Sequence, residues 1–573
     1  MASEDHNTLQ VPGDSNDGSN PRGRGKGRFE NSSRRGDNKR KRGAFSGRPT
    51  SRGRGSDYRP KREQVRENRD AKRRRVIDGA NAGQSFMSVA FTADEIAAEE
   101  RRPKRKVAVL IGYAGTGYHG LQINHRDKTI EGDIFTAFVK AGAISKANAD
   151  DPKKSSFTRC ARTDRGVHAA GNVLSLKLII EKEKLVEELN GHLPPQIRIW
   201  GIQRTANSFS AYQACESRWY EYLLPSYALL PPHPQSFLAK AVAASAKEKG
   251  VEHEYAERLD DVKGFWDDVE KNDVEPILGK LEPDVRTEVL RLMRASQHLD
   301  EQGLPLKPQP VEDQIKKEPG EKREPRADTP AEAAVREIKA AVVAAKRRYR
   351  VTEARLQRLQ QVLNEYVGTK NYHNYTVAKP FRDPSAKRHM KSFDVNPKPI
   401  PIRDTEWLSL KVHGQSFMMH QIRKMVAMAV MVVRCGSPLS LLYDSFGPRR
   451  ISIPKAPSLG LMLERPMFPS YGTKAAGLDL EPIDFSKYDE QIQEFKDREI
   501  YSRMFETEEK ENAFHQFFQQ LDNFKVDYFL WVTAGGVHAS HERSERSGEE
   551  RIPEALQAEL GDDEDDDMLE DGG

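Results

Sequence analysis

Cys160-Ala161-Arg162-Thr163-Asp164-Arg165-Gly166-Val167-His168-Ala169-Ala170-Gly171 runs directly into an alternating apolar stretch, Val173, Leu174, Leu176, Leu178 and Ile179. A tight, glycine-containing segment ahead of such a stretch reads as a loop feeding a strand. A carboxylate on a loop that a strand holds still can be aimed at a substrate. Arg162 and Arg165 flank Asp164, and their guanidinium groups would keep it ionised and nucleophilic at neutral pH. The same groups would attract phosphate.

Outward from this loop the pattern alternates between strand and helix. Order is expected from Lys106, with Val107 to Ile111 as a short strand. Thr129 to Ala143 has helical spacing through Ile130, Ile134, Phe135, Phe138 and Val139. Leu185, Leu189 and Leu193 mark another helix, stopped by Pro194-Pro195. Ile197 to Ile202, Trp219 to Leu224 and Glu406 to Val412 read as strands. Ala331 to Tyr366 reads as one long helix, Phe417 to Val433 as a buried one, and Ile483 to Phe529 as a helical region. This order predicts an α/β (α+β) fold built on one mixed sheet.

Composition divides the chain into six parts. Charged residues make up 31% of the 573 positions and hydrophobic ones 37%, which favours a folded core with disordered flanks. Residues 1–103 read as a disordered basic arm with Arg-Gly repeats at Arg22 to Arg28 and Arg52 to Gly55. Residues 104–231 and 331–470 form the two halves of the core. Between them, 232–330 is an insertion, helical in part, ending in a linker rich in Pro, Glu and Lys. Residues 471–532 are a helical extension, and 533–573 a disordered acidic tail. Residues 1–106 carry 27 Lys and Arg against 15 Asp and Glu, which points to a polyanionic partner. Lys39-Arg40-Lys41-Arg42 and Lys72-Arg73-Arg74-Arg75 are nuclear-localisation clusters in type. They predict nuclear import receptors as partners and a nuclear location.

Other classes find no support in the sequence. Cys160, Cys215 and Cys435 lack the spacing of a disulfide framework or a finger-type zinc site, and Cys160 reads as a small buried residue. No apolar run reaches the ~18 residues of a membrane span, and the first 30 residues lack the apolar core of a secretory leader. Neither a phosphate-binding loop, a dinucleotide fingerprint nor a metal-ligand cluster is present, so no cofactor and no metal are expected.

The Asp164 stretch resembles the active-site motif of the TruA-type pseudouridine synthases, whose core reads Arg-Thr-Asp-x-Gly-Val-His. Four more segments resemble that family in its order. They are Gly112 to Gln122, Arg218-Trp219-Tyr220, Phe417 to Val426 with its Phe-x-x-His-x-x-Arg pattern, and Ala456-Pro457-Ser458-Leu459-Gly460-Leu461. Asn371-Tyr372-His373-Asn374-Tyr375 and the insertion resemble the eukaryotic, multi-site tRNA branch.

The resemblance implies two ferredoxin-like halves sharing a central, mainly antiparallel sheet with a cleft between them. It implies Asp164 as the catalytic nucleophile, Arg423 as its ion-pair partner, Tyr220 as the ring that packs on the target base, and Arg162 as the residue that takes the space of the flipped nucleotide. Ile422 would wall the uracil. Arg165 would contact phosphate, His168 would order the loop or touch RNA, and His420 would pack or touch RNA. Lys346, Arg347 and Arg348 read as a phosphate-contacting ridge on the long helix. The implied substrate is tRNA around the anticodon stem-loop, with small nuclear RNA and messenger RNA as further substrates. A monomer is expected. The competing reading is an RNA-binding chaperone that folds tRNA without turnover.

Overall fold

The computed structural model describes residues 91–124, 127–296, 329–377 and 379–542. The Arg-Gly repeats, both basic clusters, the Pro-, Glu- and Lys-rich linker up to residue 328, and the acidic tail from residue 543 lie outside the described residues. Ten strands form one sheet: β1 (Arg105–Tyr113), β2 (Thr158–Arg159), β3 (His168–Leu178), β4 (Ile197–Arg204), β5 (Ser217–Pro225), β6 (Gly368–Asn371), β7 (Lys387–Val395), β8 (Ile400–Ile402), β9 (Thr405–Gly414) and β10 (Leu461–Met467). Their order is β4-β1-β3-β10-β5-β9-β7-β6, with β2 added to β3 and β8 to β9.

Every pairing is antiparallel except β3 with β10. That parallel junction, His168 opposite Met462, is a seam between two antiparallel blocks. β1 and β3 are buried almost end to end, with only Arg105 and Lys177 exposed. Such strands are covered on both faces, which is why they read as near-continuous apolar runs.

Helices α1 (Ile130–Lys140) and α2 (Leu185–His192) belong to the first block, and the Thr129 side chain caps α1 by accepting from the Gly132 N–H. The expected long helix is instead two, α3 (Pro330–Arg348) and α4 (Glu353–Asn364). The break has a local cause. Tyr349 is extended at ψ 138°, and Thr352 restarts the helix by capping the Arg355 N–H. Helix α5 (Gln421–Arg434) begins four residues later than its apolar pattern does, because His420 adopts a left-handed φ of 58°. All but one of its residues are buried. Each fully buried aliphatic side chain contributes about 1.5–3 kcal/mol, so α5 is fixed firmly in the core and its first turn with it.

Two further differences concern the edges. A helix lies ahead of Lys106, at Ala93–Ala97, its start capped by a Thr92/Glu95 capping box. Past 533 there is a 3₁₀ turn at Gly536–Ala539. The insertion is helical from Phe237 to Ser296 in several short pieces. Beyond β10, α6 (Ser502–Glu511) and α7 (Ala513–Asn523) close over the second block. Phe514 meets Tyr222 and Trp407 edge-on, and Asp522 clamps Arg434 of α5 at 2.5 and 2.9 Å.

Candidate active site

The loop from Cys160 to Val167 crosses the mouth of the seam, because it precedes β3 at the end where β10 also begins. Thr163 anchors it. The Thr163 hydroxyl meets the buried Tyr113 hydroxyl at 2.8 Å, and its carbonyl accepts from the Leu121 N–H at 3.2 Å. Gly120 lies beneath this contact at φ +81°, and a Cβ there would sit 2.8 Å from the Thr163 carbonyl. Only glycine satisfies both demands. After Asp164 the chain turns tightly, with Val167 N–H donating to the Asp164 carbonyl at 3.1 Å and Gly166 at φ +76°.

This turn holds the Asp164 side chain half-buried, 20% exposed, against the first turn of α5. His420 Nδ1 lies 2.8 Å from one carboxylate oxygen, and Arg423 Nη1 lies 3.9 Å from the same oxygen. An ionised carboxylate has no proton to give, so Nδ1 is the donor. Burial raises the Asp164 carboxyl, but the hydrogen bond and charge of His420, with the charges of Arg423 and Lys455, outweigh it. The net shift is downward, and the group is ionised at neutral pH. Arg423 is itself fixed, its Nε donating to the Ala456 carbonyl at 2.6 Å.

In the same cleft, Tyr220 of β5 is 8% exposed and meets Phe417 edge-on at 5.1 Å between centroids. Ile422, Arg162 and Tyr220 line the same cleft as Asp164. Its volume is about 1680 Å³. Small-molecule pockets run to roughly 300–1,000 Å³, so this cleft is sized for part of a polymer. Lys379, Lys387, Arg388 and Lys391 also line it, against Asp164 and Glu216 as its acidic members among the described residues. A single ionised carboxylate, an aromatic ring and an apolar wall in a basic cleft can hold a flipped-out base and act at its sugar or ring.

Comparison with known proteins agrees with this geometry. Residues 362–469 match the sequence profile of tRNA pseudouridine synthases. The chain is 42% identical over 455 residues to tRNA pseudouridine synthase 1 of Kluyveromyces lactis, covering 77% of this chain and 75% of that protein. Against tRNA pseudouridine synthase 1 of Schizosaccharomyces pombe it is 40% identical over 476 residues, 76% of this chain and 87% of the relative. The chain belongs to the tRNA pseudouridine synthase family. It is also 36% identical over 419 residues to the tRNA pseudouridine(27/28) synthase of Saccharomyces cerevisiae, covering 72% of this chain and 98% of that protein.

Against this family frame, several expected site residues fall elsewhere. His168 is 0% exposed behind the loop, where its Nδ1 accepts the Gly115 N–H at 3.2 Å. Burial pushes it down to about 4, so it is a neutral, loop-ordering imidazole and not an RNA contact. His420 does more than pack: it lines the cleft, and its Nδ1 bonds Asp164 at 2.8 Å. Arg165 is exposed and is not among the residues that line the cleft. The Lys346–Arg348 ridge does not form. Lys346 lies 5.4 Å over the Trp266 ring and 3.2 Å from His515 Nδ1, and burial lowers its ammonium to about 8. Arg347 bonds the Glu509 carbonyl and Asn512 side chain, both at 3.0 Å. Arg348 alone of the three faces solvent, and it pairs with Asp273 at 2.6 Å. Lys346 and Arg347 are struts between α3 and the C-terminal helices. Two contributors went unseen in the sequence: His420 as a donor to Asp164, and Lys455, which adds charge to the same carboxyl.

Proposed function

We propose that this chain isomerises several uridines of tRNA, around the anticodon stem-loop, to pseudouridine, with Asp164 as the reacting carboxylate. In that reaction the bond from C1′ to N1 breaks, the base rotates, and a bond from C1′ to C5 forms. The hydrogen at C5 leaves to solvent and N1 gains a proton. Asp164 either stabilises or traps C1′, or adds to the pyrimidine ring, and both routes need it unprotonated. The observation that carries the reading is the ionised Asp164 carboxylate, held by His420 and neighboured by Arg423, sharing with Tyr220 a basic cleft too large for a small metabolite. Tyr220 packs on the base, a contact worth ~1–3 kcal/mol. Arg162 offsets the few kcal/mol of base flipping by filling the vacated space.

The names of the relatives support tRNA as substrate, and one of them names positions 27 and 28. Small nuclear RNA and messenger RNA stems of similar shape are further substrates in this reading. The enzyme works as a monomer in the nucleus, delivered by import receptors that bind its basic N-terminal clusters. Carbodiimide mapping of unmodified tRNA transcripts tests the core of this reading. Wild-type enzyme should create new reverse-transcription stops at several anticodon-stem uridines. Tight binding without a single stop on any tRNA would favour the chaperone alternative.

A further inference from the structure

Seven large hydrophobic side chains stand well exposed among the described residues, and Tyr212 is the one of them that lines the cleft of Asp164 and Tyr220. Single exposed hydrophobic residues are ordinary; the setting of this one is not. Tyr212 is 61% exposed, yet the turn that carries it is fixed. Phe209 is buried and packs on Tyr471 at 4.5 Å and on Phe468 at 6.0 Å between centroids. Ala211 is fully buried, and its N–H donates to the Ser175 hydroxyl of β3 at 3.0 Å. Ala214 N–H closes the turn on the Ser210 carbonyl at 2.9 Å. The chain on both sides of Tyr212 is therefore held, while its own ring has no other ring against it among the described residues.

The segment that holds Tyr212 leads into β5, and β7 brings cations to the same cleft. Where β5 begins, Arg218 lies opposite Gly414 of β9, and Gly414 lies opposite Met390 of β7. Gln415 N–H donates to the His389 carbonyl at 3.0 Å and continues that ladder. The start of β5 and the 388–391 stretch of β7 are thus two strand spacings apart, about 10 Å. Lys387 and Lys391 are exposed, Arg388 is half-buried, and all three line the cleft. Glu216, the carboxylate nearest to Tyr212 in the chain, is bonded to the Ser470 N–H at 2.7 Å. This part of the cleft combines a rigidly mounted, open aromatic face with a row of cations, which is how proteins hold single-stranded nucleic acid.

We propose that Tyr212 is a stacking platform for an RNA base beside the target uridine, and that Lys387, Arg388 and Lys391 hold the phosphates of that neighbouring stretch. The proposal rests on the functional reading above and adds a requirement on the substrate. A nucleotide next to the target must leave its own helical stack and lie on the Tyr212 ring. Tyr220 takes the target base and Tyr212 a neighbour, so two rings in one cleft engage two nucleotides. A ring face accepts any base, so the contact selects a neighbour that is unpaired or easily unstacked, whatever its identity. The lysines and the arginine add affinity that falls with salt and carries no sequence preference.

The test measures the Kd of the full chain for an anticodon-stem-loop transcript by fluorescence anisotropy, so that binding is read without turnover. Tyr212→Phe and Tyr212→Trp keep a ring and should bind within about twofold of the wild type. Tyr212→Ala should bind at least about fivefold more weakly, with the same salt dependence. Its thermal melt should match the wild type, because the ring it removes is exposed. Lys391→Gln should instead reduce the slope of log Kd against log salt by about 0.7 to 1. In a synthetic stem-loop, one abasic nucleotide beside the target should weaken wild-type binding as Tyr212→Ala does, and should cost the Tyr212→Ala chain nothing further. Alanine binding as tightly as phenylalanine, or abasic effects equal in wild type and Tyr212→Ala at every neighbouring position, would overturn the platform. A Lys391→Gln slope equal to the wild type would overturn the phosphate contact. Tritium release by the wild type tests the isomerase reading by itself. Release beside a Tyr212→Ala chain that binds normally would remove the platform alone, and Tyr212-dependent binding without release would remove the isomerase reading alone.

Discussion

Replacing His420 isolates the grip on Asp164 from everything else at the site. Its backbone is left-handed at φ 58°, a conformation that Gly and Asn both adopt readily. His420→Gly removes the 2.8 Å donor, whereas His420→Asn keeps a short side-chain N–H in its place. A hydrogen bond to a charged group is worth about 1.5–3 kcal/mol. In the wild type, burial raises the Asp164 carboxyl and is outweighed first by His420, then by Arg423 and Lys455. In His420→Gly the burial stays and the largest counterweight is gone. At about 1.4 kcal/mol per unit, the acid limb of activity should move up by about one to two pH units. The sign for stability follows. A carboxyl lowered on folding stabilises above its unfolded range, and loses that contribution as pH falls through its folded one. The glycine variant should lack this contribution, so it should unfold at lower denaturant near neutrality and be less sensitive to mild acid. Near neutral pH the carboxylate stays ionised, and the loss there comes from aim: about 10- to 100-fold in kcat, with KM within about threefold. Single-turnover tritium release across the acid range reads both effects, and the asparagine variant should recover most of the loss. An acid limb that superimposes on the wild type, or an asparagine variant no better than glycine, would refute the reasoning.

Arg423→Ala should lower kcat by at least about 100-fold while RNA affinity stays within about threefold, because Arg423 lies 3.9 Å from Asp164 and its removal also frees the Ala456 carbonyl. Gel-shift titration beside tritium release checks it, and unchanged turnover would remove its ion-pair role. Lys346→Met should leave tRNA affinity within about twofold, since that ammonium sits over Trp266 and not on an open ridge. Burial lowers Lys346 to about 8, so between that pH and its unfolded range the unfolded chain binds more protons and wild-type stability rises. Thermal melts should show that rise in the wild type and its absence in the variant. Asp522→Ala orphans the buried Arg434 guanidinium and should cost about 3–5 kcal/mol in urea unfolding, with the residual activity of folded protein intact.

What the sequence revealed, and what it hid, follows from the range of the interactions. The Asp164 loop was legible because its signals are local: Gly166 at a positive φ, flanking arginines, and a strand with buried faces immediately after it. β1, β5 and β9 were readable for the same reason, within two residues at each end, whereas β3 starts at His168, five residues ahead of the apolar run that marks it. Helix α5 was readable as buried, but its start was not. Phe417 to His420 keep an apolar pattern while the backbone at His420 turns left-handed, and periodicity carries no information about φ. The break between α3 and α4 did leave a signal, the Thr352-Glu353 start. A count of helix formers across 331–366 passes over it. Contacts between distant segments were out of reach. The His420–Asp164 bond joins residues 256 apart in sequence. The Lys346 environment combines Trp266 and His515 with α3, so a run of positive charge looked like an exposed ridge when two of its members are internal struts.

In the proposed reaction Asp164 is the carboxylate that turns uridine over. The most direct measurement uses an unmodified tRNA transcript tritiated at uridine C5, whose hydrogen leaves when C5 becomes the glycosidic carbon. Wild-type enzyme should release tritium to solvent. Asp164→Asn, folded and binding the transcript as tightly, should release none above background. Release by Asp164→Asn at a rate near the wild type would contradict the account.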